Sequence, residues 1–79
     1  MKPEDITERV IEICKDIFDN DEVDYSMTTS SGDVPEWDSL THLDLLNEIE
    51  EEFNFKLSLE ELTTIKTIGD ITTAIINHL

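Results

Sequence analysis

The chain has 79 residues, 20 of them acidic and 5 basic, for a net charge of −15. That length makes one small domain, residues 1–79, too small to enclose a deep active site. The charge argues against nucleic acid and anionic membrane surfaces, whose phosphates would repel it, and favours basic protein partners.

Met1 to Asp5 is polar, without an apolar signal segment, and no apolar run approaches the roughly 18 residues of a membrane span. The single cysteine excludes an internal disulfide. These features predict a cytoplasmic monomer with no membrane insertion. Hydrophobic residues at 38% are enough for a core and too many for a disordered tail.

The first helix is expected from about Pro3 to Phe18. Proline suits a first helical position, and Glu4 and Asp5 sit at the positive end of the helix dipole. Ile6, Val10, Ile13 and Ile17 recur at spacings of four, three and four, and Ile11, Cys14 and Phe18 widen the stripe. Cys14 reads as a small core residue, since no cation adjoins it to lower its pKa.

Residues 19–37 hold Gly32, Pro35 and clustered Ser and Thr, a long loop for so small a domain. Val23, Met27, Val34 and Trp37 are candidates to pin it to the helices. Asp19, Asp21 and Asp24 have the spacing of a calcium loop only at first sight. Counting from Asp19, the fifth, sixth and twelfth positions hold Val23, Asp24 and Ser30, so the pattern fails.

The second helix is expected from Asp38, its N-cap, to about Phe53, with Ser39 in the first helical position. Leu45, Leu46, Ile49 and Phe53 share one stripe, and His42 falls on the core side. Leu40 and Leu43 point elsewhere, among Asp44, Asn47, Glu50 and Glu51. Two leucines on an acidic, exposed face are more informative than the core stripe.

The third helix is short. Ser58 and Glu61 make a capping box, and Leu59 and Leu62 are expected to face inward. Thr67 and Asp70 cap a fourth helix that continues through Ile68, Ile71 and Ile75 to Leu79. No alternating strand pattern occurs. The predicted fold is all-α: a small four-helix bundle with three longer helices, a short third one and a long first loop.

Chemistry is scarce. His42 and His78 have no Cys or His partner at metal-ligand spacing. Ser39 has no positioned base, because His42 three residues on is a local neighbour and not a triad. Gly-rich phosphate loops are absent. Ser39 is then better read as a site acted upon: it follows a long loop and opens a helix, where unpaired N–H groups favour a phosphate. Taken alone, that local pattern favours a plain helix-start residue.

The run Trp37-Asp38-Ser39-Leu40-Thr41-His42-Leu43, with Glu50-Glu51-Glu52-Phe53 and Thr67-Ile68-Gly69-Asp70-Ile71, resembles the acyl carrier protein family. The likeness extends from the first helix to the end. Asp-Ser-Leu alone is weak, but size, charge, the long loop and the helix layout join it. The resemblance implies a non-catalytic carrier in which Ser39, flanked by Asp38 and Leu40, holds 4′-phosphopantetheine through a phosphodiester. The arm's thiol would hold acyl, polyketide or aminoacyl cargo as a thioester, in some carriers with the cargo folded into the bundle core.

The implied partners are a phosphopantetheinyl transferase and acyl-activating, synthase or acyltransferase enzymes with basic docking patches. They would meet Leu40, Leu43, Asp44, Asn47, Glu50 and Glu51. At Asn47 the family often has an apolar residue such as methionine. Trp37 replaces the usual small residue of housekeeping fatty-acid carriers and resembles discrete carriers of specialised pathways. The competing reading is an acidic helical interaction or regulatory module that is never modified.

Overall fold

The computed structural model describes residues 2–79. Its elements run α1 (Pro3–Phe18), α2 (Ser39–Phe53), α3 (Leu59–Thr64) and α4 (Ile68–His78). The first two helices end where anticipated, each on a residue in the left-handed region, Asp19 (φ 49°) and Asn54 (φ 55°). That conformation turns the chain off the helix axis, and the N–H of each residue reaches back to a last-turn carbonyl.

Helix α1 packs against both α2 and α4. Ile6, Val10, Ile13, Cys14 and Phe18 meet Leu45, Leu46 and Ile49 of α2 and Ile68, Ile71 and Ile75 of α4. Fully burying each large aliphatic side chain contributes about 1.5–3 kcal/mol, so this seam is the main source of stability. Phe53, Ile11 and Ile17 lie half-buried at its margins. On the surface, Arg9 of α1 bridges Glu12 at 2.8 Å and Glu52 of α2 at 2.9 Å, a clamp not anticipated from the sequence.

The long loop is anchored by Val34 and Trp37, both buried, and by half-buried Val23. Tyr25 joins them, its hydroxyl donating to the Asn20 carbonyl at 2.8 Å. Met27 departs from expectation: the residue is 47% exposed, its sulfur only accepting from the Thr7 hydroxyl at 3.4 Å, and its backbone adds the firmer anchor. The Met27 carbonyl accepts from Gly69 N–H at 2.8 Å and the Thr29 carbonyl from Ile68 N–H at 3.0 Å. An isolated bridge between Ser30 and Thr67 completes the junction, the one β-type pairing among the described residues.

Leu59 is a second departure. It was expected to face inward and is 80% exposed, while Leu62 is half-buried against the core. A helix of six residues between buried Leu57 and Ile65 needs one inward side chain, and Leu62 supplies it. Leu79, at the end of the α4 stripe, is also exposed. Among the described residues no helix is long and apolar enough to cross a membrane.

Candidate functional site

The start of α2 is built by Asp38. One oxygen of its carboxylate, Oδ1, accepts from the N–H groups of Leu40 and Thr41, both at 3.0 Å. The Thr41 hydroxyl accepts from Asp38 N–H at 2.8 Å, closing a capping box. The same hydroxyl donates to the Glu36 carbonyl at 2.7 Å and so ties the loop to the helix. Thr41 escaped the sequence reading because its box uses threonine where glutamate is usual. The Thr41 N–H, with lesser help from Leu40, holds the Asp38 carboxyl below the usual range.

Ser39 is the first residue of α2 and is exposed. The cap absorbs the neighbouring N–H groups, and none of the described residues hydrogen-bonds to the Ser39 hydroxyl. It opens onto a cleft of about 570 Å³ between the long loop, the start of α2 and α3. Trp37, Leu62 and Ile65 form the apolar wall of this cleft, and Ser30, Ser31 and Lys66 line its polar side. Ser30, Ser31, Leu62, Ile65 and Lys66 are remote from Ser39 in sequence, and nothing in their spacing signals the cleft.

Beside Ser39 stands an aromatic stack. Trp37 lies against Phe18 with ring centroids 5.3 Å apart, and against His42 at 6.1 Å. The Trp37 indole N–H donates to His42 Nδ1 at 3.0 Å. His42 is half-buried on the core side of α2, as its register predicted.

The outer face of α2 carries the two unusual leucines, Leu40 at 75% and Leu43 at 58% exposure. Asp44, Asn47 and Glu51 are exposed with them. Glu50 differs: it is half-buried, and its carboxylate accepts from Leu57 N–H at 2.7 Å, bracing the turn into α3.

A serine hydroxyl at a helix start with no partner among the described residues thus lies beside a cleft and an acidic leucine-bearing face. The sequence matches the family described as the phosphopantetheine attachment site over residues 36–75, just over half of the chain and including Ser39. The chain belongs to the acyl carrier protein family. Two solved structures agree with this over nearly the whole length. One is a protein assigned as an acyl carrier protein in Mycobacterium tuberculosis, 26% identical, with a TM-score of 0.84 over 94% of this chain and 99% of that one. The other is the holo acyl carrier protein of Geobacter metallireducens, 30% identical, with a TM-score of 0.81 over 90% of this chain and 82% of that one.

The carrier is therefore a non-catalytic protein, and its matched domain is one to which 4′-phosphopantetheine is attached covalently. The residues present fit that group. An exposed hydroxyl with no partner among the described residues leaves an oxygen free for a phosphoester, and the cleft beside it offers hydroxyls and an ammonium to an anionic, amide-rich arm. The reading as an unmodified interaction module is not favoured.

Proposed function

We propose that Ser39 is the attachment point and that the protein shuttles thioester-bound intermediates of a specialised pathway between partner enzymes. The observation that carries this is the exposed, unpartnered Ser39 hydroxyl in the first turn of α2, within the matched segment. When bound, the arm supplies a terminal thiol that holds the cargo as an activated thioester. Asp38 caps α2, so the turn bearing Ser39 is held rigid while its hydroxyl stays accessible. Tethering then raises the effective concentration of the cargo at each partner's active site.

In this reading a phosphopantetheinyl transferase loads Ser39. Synthases, acyl-activating enzymes or acyltransferases approach through basic surfaces, reading Leu40, Leu43, Asp44, Asn47 and Glu51. Glu50 belongs to the same face, but its bond to Leu57 gives it a structural task as well. Trp37 in place of a small residue supports the specialised pathway, and the single unpaired cysteine accords with a cytoplasmic setting.

The test is intact mass after incubation with a phosphopantetheinyl transferase and coenzyme A. The wild type should gain the mass of one arm. Ser39→Ala should gain nothing while keeping its helical circular dichroism, since alanine is a good helix former and Asp38 still caps. An arm on the Ala variant, or a wild type that no transferase of a broad panel loads, would overturn the proposal.

A further inference from the structure

We propose that His42 is a positioning residue for the arm: Trp37 holds its imidazole in one tautomer, and the ring offers its Nε2–H to the phosphodiester on Ser39. The inference rests on the Ser39 reading above and adds a specific contact to it.

An indole N–H can only donate, so the His42 Nδ1 that faces it at 3.0 Å must be the unprotonated nitrogen. In the neutral ring the proton is then on Nε2. None of the described residues hydrogen-bonds to Nε2, so this donor is left over after the Trp37 bond is made. The partner that sets the tautomer is itself fixed. Trp37 is buried, stacked on Phe18, and its backbone N–H is held by the Val34 carbonyl at 3.0 Å.

His42 follows Ser39 by three residues, so the two occupy adjacent turns of one helix side, and both line the same cleft. A phosphodiester oxygen on Ser39 would offer this N–H an anionic acceptor on the same cleft, a stronger pairing than between neutral groups. A purely structural residue could cap the indole with any acceptor; an imidazole does so and keeps a second nitrogen for the cleft.

The charged groups that face the ring across this cleft are Asp38, at the start of α2, and Lys66, after α3. The Asp38 carboxylate is engaged by Leu40 and Thr41 and held below its usual range, so it is ionised throughout the window used below. The other histidine, His78, pairs with Glu61 on the α3–α4 side.

The experiment is ³¹P NMR of the arm-loaded protein between pH 5 and 8, with the Trp37 indole ¹H–¹⁵N signal followed in parallel. A phosphodiester keeps one negative charge across that range, so an inflection in its signal that is lost on replacing His42 reports the ring. Protonation places a second N–H opposite the indole and breaks the Trp37 bond. The wild-type ³¹P and indole signals should therefore share one inflection. His42→Gln, which keeps a distal N–H donor, should give a flat ³¹P trace near the wild-type alkaline position. His42→Leu should give a flat and displaced one. A loaded wild type whose ³¹P signal is flat, or a His42→Leu protein that keeps the inflection, overturns the role of His42. A chain that takes up no arm by intact mass overturns the Ser39 reading, and this one with it.

Discussion

Cys14 lies fully buried on α1, and burial pushes its thiol up to about 12 from an ordinary value near 9. The folded state thus favours the neutral thiol. Its contribution to stability is fully present below about pH 9 and is lost as pH rises through about 12. The same burial makes the residue silent to thiol reagents, which need an accessible thiolate. At pH 8 the native unloaded protein should therefore show no reactive thiol by a chromogenic disulfide assay. The loaded protein should show one, at the end of the arm. Denaturant should expose one more in both, because the chain holds a single cysteine. A reactive thiol in the native unloaded protein would mean that α1 opens to solvent.

The start of α4 shows how an element is fixed from outside. Thr67 and Asp70 form the capping box legible in the sequence, with Asp70 N–H reaching the Thr67 hydroxyl at 3.0 Å. The two preceding N–H groups, of Ile68 and Gly69, are taken by carbonyls of the long loop. A Cβ on Gly69 would sit 2.8 Å from the Met27 carbonyl oxygen, a backbone atom that cannot rotate away. The glycine is required here for close approach of two backbones. Gly69→Ala gains about 1 kcal/mol of helix propensity and loses about 1–3 kcal/mol to the clash, besides weakening the bond to Met27. The expected result is a net loss of about 1–2 kcal/mol in urea denaturation, with faster amide exchange at residues 68 and 69. Unchanged stability would show that the loop yields freely and is no strap.

The whole molecule is a concentrated anion: a net charge of −15 within a radius of gyration of 11.4 Å. Among the described residues the ion pairs are Arg9 with Glu12 and Glu52, and His78 with Glu61. These exposed pairs offset little of the repulsion. The screening length is about 30 Å at 0.01 M salt and about 10 Å at 0.1 M, comparable to the molecule itself. Tm should rise with added salt; a flat or falling Tm would mean that local pairs outweigh the repulsion. In the proposed function the same field would steer basic partners. Asp44→Lys with Glu51→Lys should slow arm attachment most at low salt, the effect shrinking as salt rises. Glu4→Lys with Glu8→Lys makes an equal change in net charge at the far end of α1 from the Phe18–Trp37 contact. Equal slowing by both pairs would assign steering to net charge alone and not to the α2 face.

Local periodicity and capping were enough to place α1, α2 and α4, the core stripe of Leu45, Leu46 and Ile49, and the exposure of Leu40 and Leu43. Such features depend on residues three or four apart, which the sequence displays directly. Ser39's place in the first turn was legible for the same reason, since Asp38 announces the cap. Tertiary structure alone decided the rest. The loop backbone crosses α4 at Gly69, some forty residues after Met27, and there a carbonyl holds the loop where a methionine side chain was expected to. Leu59 stays outside because Leu57, Leu62 and Ile65 already fill the space behind α3. Glu50 is drawn to Leu57 N–H, and the long loop and α3 wall the cleft around Ser39. His42 is turned to Trp37 as that indole settles on Phe18. Each of these outcomes depends on which surfaces meet once the helices pack, and no spacing along the chain encodes that.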